Sequence, residues 1–427
     1  MSYIDSLLLA LTLAMTLGVV AFLVAQKTKI SFVPILIVLG LIFGPVVGFI
    51  NRDIAHHLFD YVRVFGLVVI LFTEGHNLKW RLVRKHLATI GVLDTVGLFV
   101  TAFVAAAFFS LFFHVPFMAG FLFGAIISAT DPATLIPLFK QHRVREGMRT
   151  ILVTESIFND PLGIVLTILA VALLVPQAPS AKLVETIAHY TTLYPAAVIY
   201  FLYVVILSIG IGVALGLVGY RLMEWLKLDL YPEVYSLALA FGGFLIGEWL
   251  HTSGYLVAAV IGMVMGNTET LFSRTKPSPD VLSTIRDEVH FNEILSNFAT
   301  ILIFILLGAS LDLKPLASHV LMGAAIAAVV ILIARPLAGL AVKPLERRSW
   351  REYLFISLEG PRGVVPAALA SLPLTLGKTY HNPQLIAWGE MILAATVVTV
   401  LLSVIVETVW VSVMNRKLLE PGSPESD

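Results

Sequence analysis

Three segments of the chain put ionisable side chains and prolines together inside long apolar runs. They are Ser128-Ala129-Thr130-Asp131-Pro132, Thr154-Glu155-Ser156-Ile157-Phe158-Asn159-Asp160-Pro161 and Gly360-Pro361-Arg362-Gly363. Proline removes a backbone donor and pushes the residue before it out of the α region. The first segment is therefore expected to unwind at Asp131, freeing carbonyl oxygens beside a carboxylate. Oxygen ligands suit a hard cation, and Asp131 can also cap the half-helix that follows it. In the second segment Ser156 and Asp160 are four apart and share a helix face, as do Glu155 and Asn159. A carboxylate with an oxygen-bearing side chain one turn away can hold a dehydrated monovalent cation. Desolvation disfavours the charged form of a carboxyl, so a proton and a cation can compete for it in the physiological range. Arg362 keeps its charge when buried and needs an anionic partner. Glu155 is the expected partner, with Glu359 as a local competitor.

The elements that must position these groups are transmembrane helices. The chain has 427 residues, 58% of them hydrophobic and 13% charged, with 28 Lys and Arg balancing 28 Asp and Glu and no Cys. Soluble proteins carry about 25% charged residues, so this chain lacks the polar surface to cover two or three soluble domains. An ordinary cytosolic enzyme, a disordered chain and a disulfide scaffold are excluded. Zero net charge argues against a nucleic-acid partner. Apolar runs long enough to span are expected at 4–25, 32–50, 62–78, 87–112, 116–139, 150–175, 192–224, 233–250, 254–268, 290–312, 319–343, 352–373 and 384–412. The runs are continuous, without the alternation of a membrane barrel. The first lacks a basic n-region and a cleavage signature and reads as a retained span. The reading is an all-α polytopic membrane protein of about 13 transmembrane helices, with a membrane domain over 1–413 and a short tail over 414–427. The 269–289 connection reads as a solvated linker and His56-His57 as a solvated turn. Gly40, Gly44 and Gly48 read as a close-packing stripe.

Assigning connections alternately to the two sides puts 21 Lys and Arg on one side and 5 on the other, with Arg335 and Arg362 inside spans. Basic residues favour the cytoplasm, which places the N-terminus outside and the C-terminus inside. An internal repeat runs through this arrangement. Phe72-Thr73-Glu74-Gly75-His76-Asn77-Leu78 parallels Ile305-Leu306-Leu307-Gly308-Ala309-Ser310-Leu311, and Asp131-Pro132-x4-Pro137 parallels Gly360-Pro361-x4-Pro366. The offsets, 233 and 229 residues, place each partner seven spans later, which inverts its topology. Inverted repeats with interrupted helices in matching positions point to a secondary transporter.

The three motifs together resemble the monovalent cation/proton antiporters, and within them the NhaP-like sodium/proton antiporters of bacteria and archaea. The resemblance covers essentially the whole chain. It implies exchange of Na+ for H+ without a cofactor, with Asp160 as the shared carrier and Asp131, Thr130 and Ser156 as cation ligands, partly through backbone or water. Asn159 would orient the site, and an Asn-Asp pair resembles the electroneutral exchangers. Glu155 and Arg362 would form a structural ion pair, Glu74 would line the cytoplasmic funnel, and Glu359 would be accessory. The resemblance further implies a homodimer in the plasma (cell inner) membrane, with a moving core domain over about 62–175 and 290–373 and a static scaffold from the remaining helices. One departure stands in the twelfth span, where Glu359 and Pro361 flank the arginine motif and many relatives carry an uncharged residue and Leu or Met.

A potassium/proton antiporter is the alternative on the same scaffold, since the same oxygens serve K+. A cation channel or a non-transporting membrane module is the alternative from another class. A channel favours a continuous polar pore, whereas here the acids concentrate at two broken helices. An enzyme is not expected, because the chain has neither a His-Glu-x-x-His metal motif nor a Gly-x4-Gly-Lys nucleotide loop.

Overall fold

The structure is a computed structural model that describes residues 3–28, 30–226, 232–268, 279–343 and 349–418. Residues 269–278 of the expected 269–289 linker and the tail from 419 onward lie outside the described residues, while 279–289 are helical rather than a linker. Every element described is helical. The main helices are α1 Tyr3–Thr28, α2 Phe32–Val46, α3 Arg52–Asn77, α4 Leu87–Phe113, α5 Phe117–Ser128, α6 Pro132–Gln141, α7 Glu146–Leu174 and α8 Pro179–Tyr190. They continue with α9 Leu193–Leu226, α10 Pro232–Trp249, α11 Gly254–Gly266, α12 Pro279–Ser310, α13 Leu313–Leu340, α14 Trp350–Leu358, α15 Val364–Thr379 and α16 Pro383–Leu418. Among the described residues eight helices are long and apolar enough to cross a membrane, or nine if α5 and α6 form one bent span. The shorter apolar helices α2 and α11 coincide with expected spans, and α15 covers the second part of the expected 352–373 span and runs beyond it.

Two helix starts move, that of α12 to Pro279 from near 290 and that of the third helix. The third helix begins at Arg52 rather than near 62, because the Asn51 side chain accepts from the Asp53 and Ile54 N–H groups and starts it early. His56 and His57 therefore lie in a helix, not in a solvated turn. The amphipathic α8 also appears in what reads from sequence as a plain connection.

The chain forms two compact units. The first comprises residues 1–57, 86–159 and 304–427, the second 58–85 and 160–303. In the first unit, Gly120 and Gly124 of α5 lie against the Ala106 and Ala102 carbonyls of α4. The rings of Phe109, Phe113 and Phe123 stack beside them at 4.4 Å. A side chain at either glycine would push the helices apart, so these glycines hold α5 and the interruption that ends it in place. In the second unit Phe72, Val257, Ile261 and Met265 form a buried apolar cluster.

The inverted repeat is visible in the packing of each unit taken by itself. In the first, Gly40 and Gly44 of α2 meet the backbone of Ile305 and Ala309, while Gly308 meets Ile37 in return. In the second, Gly262 and Gly266 of α11 meet the backbone of Phe72 and His76, and Gly75 meets Ala259. Gly48 lies outside this contact, with open space around it.

Helices α1, α9 and α13 bury less than a third of their most apolar windows, whereas α7 buries 72%. The first three turn Leu23, Ile206 and Leu332 outward, as lipid-facing helices do. Helix α7 carries several polar residues at depth, as does α16 with Thr396, Thr399, Ser403 and Glu407.

Candidate ion site

Two interruptions meet in the first unit. Residues 129–131 break α5 from α6, which are bent by 41°, and residues 359–363 break α14 from α15. Asp131 sits in an extended conformation (φ −112°, ψ 107°) as the N-cap of α6, and the proline at the first helical position removes a donor that would otherwise be orphaned. Its carboxylate accepts from the Thr134 N–H at 3.0 Å and from the Thr134 hydroxyl. Its own N–H donates across to the Pro361 carbonyl at 2.9 Å. The Ala133 and Val364 N–H groups also point at the carboxylate, so one anion serves the positive ends of α6 and α15 together. Gly363 makes this approach possible. Its φ of −143° is available to any residue, but a Cβ there would land on the Asp131 carboxylate.

The reciprocal contact comes from Arg362, which is 1% exposed. Its Nη1 donates to the Ser128 carbonyl at 2.7 Å and the Ala129 carbonyl at 3.1 Å. These carbonyls end α5 and, with Ala129 extended and no N–H on Pro132, lose their helical partners. The guanidinium satisfies them and complements the negative end of the half-helix. Helix α16 holds the second interruption from behind. Ser403 accepts the Arg362 N–H at 3.0 Å, and Glu407, one turn on, accepts the Gly360 N–H at 3.4 Å.

Thr130 is gripped by α7. Its N–H donates to Asn159 Oδ1 at 2.9 Å, and Asn159 Nδ2 donates to its hydroxyl at 2.7 Å. The backbone donor settles which end of the Asn159 amide is oxygen. The hydroxyl lies 2.8 Å from Ser156 Oγ, which itself donates to the Leu152 carbonyl at 2.9 Å. A hydroxyl has one proton, so Thr130 donates to Ser156, and each oxygen keeps a lone pair. The spacing expectation grouped Ser156 with Asp160 and Glu155 with Asn159; at Thr130 the residues that meet are Ser156 and Asn159, three apart. Asp160 follows as the next residue of α7, 2% exposed, with Pro161 after it withholding an N–H from the Ile157 carbonyl. Glu74 is half-buried on α3, in the second unit.

The expected Glu155–Arg362 pair is not what forms. Glu155 binds Arg335, with both carboxylate oxygens meeting both terminal guanidinium nitrogens, the second bond at 2.8 Å. Arg335 Nε donates to the Glu359 main-chain carbonyl at 2.6 Å. Planar bidentate pairing is the geometry Arg favours with carboxylates. Arg335 was visible in the sequence as an arginine inside a span, but it is 180 residues from Glu155. It directly follows a π-helical turn at Val330–Ala334, and buried Asp94 lies in another at Leu93–Gly97. Such turns re-aim side chains and gather at functional sites.

The family model described as sodium/hydrogen exchanger, transmembrane, matches residues 11–417. The chain belongs to this family. Among its sodium/hydrogen exchanger relatives, the Na(+)/H(+) antiporter 1 of Methanocaldococcus jannaschii is 33% identical over 440 aligned residues, covering 97% of this chain and 96% of the relative. The probable Na(+)/H(+) antiporter 2 of the same organism is 31% identical over 424, covering 94% and 95%. The solved structure of the sodium proton antiporter MjNhaP1 from that organism superimposes with a TM-score of 0.85 at 31% identity, covering 97% of this chain and all of that one. The sodium/hydrogen exchanger family is one of integral membrane transporters, and the interrupted, inverted helices described above are its architecture in this chain.

Proposed function

We propose that the protein is a secondary antiporter exchanging Na+ for H+, one for one, by alternating access. The observation that carries this reading is the crossing of the two interruptions in a sodium/hydrogen exchanger. Half-helix ends, an anion and a cation are locked there around unwound backbone, which is how transporters expose carbonyls to an ion inside a membrane. Asp160 is assigned as the carrier of both substrates, with Thr130, Ser156 and Asp131 supplying oxygen and Asn159 holding the Thr130 peptide in place. Glu155 and Arg335 are the structural pair in this reading, and Glu74 and Glu359 stay outside the ligand set. The working unit is a homodimer in the plasma membrane, N-terminus outside. With Asn159 uncharged, Asp160 is the clearest group in its helix to change proton occupancy, so proton and cation compete for one carboxylate.

Cation-driven proton flux in proteoliposomes tests this, with Na+, Li+ and K+ compared and the membrane potential clamped. Asp160→Asn should insert normally and lose exchange with every cation. Retained flux in that variant rejects Asp160 as carrier. A rate that follows the potential rejects one-for-one exchange, and K+ flux above Na+ flux rejects the choice of cation.

A further inference from the structure

Glu359 and Glu407 are buried acids that the exchange reading does not use, at 0% and 4% exposure. Glu359 opens the second interruption at the end of α14, and Glu407 lies on α16. Their carboxyls are near neighbours, since Glu407 accepts the N–H of Gly360, the residue after Glu359. Two carboxylates are acceptors only, so a bond between them requires a proton. Nothing else supplies it. Among the described residues no N–H or hydroxyl donor reaches either carboxyl oxygen of Glu359, and Glu407 receives only the Gly360 N–H, on one oxygen.

Arg335 and Arg362 are the nearby bases. Arg335 spends both terminal nitrogens on Glu155 and Nε on a main-chain carbonyl. Arg362 turns Nη1 to the end of α5. Beyond Arg335, next to Glu155, lies another buried acid, Asp94. Two neighbouring carboxylates in a low-dielectric interior cannot both ionise.

We propose that Glu359 and Glu407 form a second proton-binding site, which holds one proton between the two carboxyls. Its place gives it a purpose. Glu407 and Ser403, one turn apart, take the Gly360 and Arg362 N–H groups of the interruption, so the shared proton ties residues 359–363 to α16. Without it, two buried anions would face each other across that clamp. The site stands apart from the exchange reading and would hold in a chain that moved another cation.

Infrared spectroscopy of the purified protein tests it through the carbonyl band of protonated carboxylic acids, identified by its shift in heavy water. The double variant Glu359→Gln/Glu407→Gln should lose the intensity of one carboxylic acid relative to wild type. No loss means both groups are ionised, a loss of two means each holds its own proton, and either result overturns the proposal. If the double variant does not fold, the single variants carry the test. Loss of a carboxylic acid in either supports the bound proton, and unchanged spectra in both reject it.

Discussion

At 129–131 three residues leave the helix and the charged side chain among them is an anion, whereas at 359–363 five residues leave it and the charged side chain that reaches across is a cation. Each charge serves the other break. Asp131 faces the N-termini of α6 and α15, and Arg362 faces the carbonyl end of α5. Anions belong at helix N-termini and cations at C-termini, so each charge lies where the backbone favours it. The lesson is that interrupted helices at depth are stable in pairs. Neither break satisfies all of its own backbone, and each depends on a side chain from a segment more than 200 residues away.

The joint between the two interruptions is most vulnerable at Gly363. Replacing it with Ala puts a methyl on the Asp131 carboxylate and separates the two arms. A loss beyond about 4 kcal/mol, the range reserved for severe steric or buried-charge damage, should leave no monodisperse protein in detergent. A normal melting temperature would show that the arms can part.

Next in size is the ion pair. Removing one member of a buried pair costs roughly 3–5 kcal/mol, because the other charge is left uncompensated. Glu155→Ala strands Arg335. Glu359→Ala does not, since Arg335 reaches Glu359 through its main-chain carbonyl. Thermal melts should therefore rank Glu155→Ala well below Glu359→Ala. The reverse order would restore Glu359 as the partner that matters.

Thr130→Val deletes the hydroxyl between Asn159 and Ser156 at nearly constant volume. Leaving buried partners unsatisfied costs about 1–3 kcal/mol. If Thr130 also ligates the cation, the apparent KM for Na+ rises in proteoliposome flux while Glu155→Ala variants that fold keep theirs.

The smallest effect is expected where the same cap stands in the open. Asp312 N-caps α13 as Asp131 caps α6, but its side chain is 38% exposed and its salt bridge to Arg52 is at the surface. The Lys314 N–H, and then Arg52, hold its carboxyl below the usual value of 3.8. A depressed folded value means the stabilisation is present above the unfolded pKa and fades as pH falls through the folded one. Asp312→Ala should cost about 1 kcal/mol or less near neutrality, where exposure screens the pair. The gap from wild type should close in melts taken below pH 3.8.

Much of this was legible beforehand. Continuous apolar runs can only be spanning helices, Asp131-Pro132 can only interrupt one, and the paired Pro-x4-Pro segments marked the second break. The glycines at 75 and 308 marked equivalent contacts because close backbone approach tolerates nothing larger. The choice of base for Glu155 was not legible. Two arginines lay inside spans with equal chemical claims, and nothing local ranks partners 180 and 207 residues away.

The sequence by itself determined the membrane class, the breaks and the residue types gathered near them, because hydrophobicity, proline and burial of charge act on the chain locally. Only the tertiary structure decided the pairings: Arg335 to Glu155, Arg362 to the end of α5, Thr130 between Ser156 and Asn159, and Glu359 against Glu407. Hydrogen bonds and ion pairs depend on distance and direction, and in a helical membrane protein both are set by how helices far apart in sequence pack.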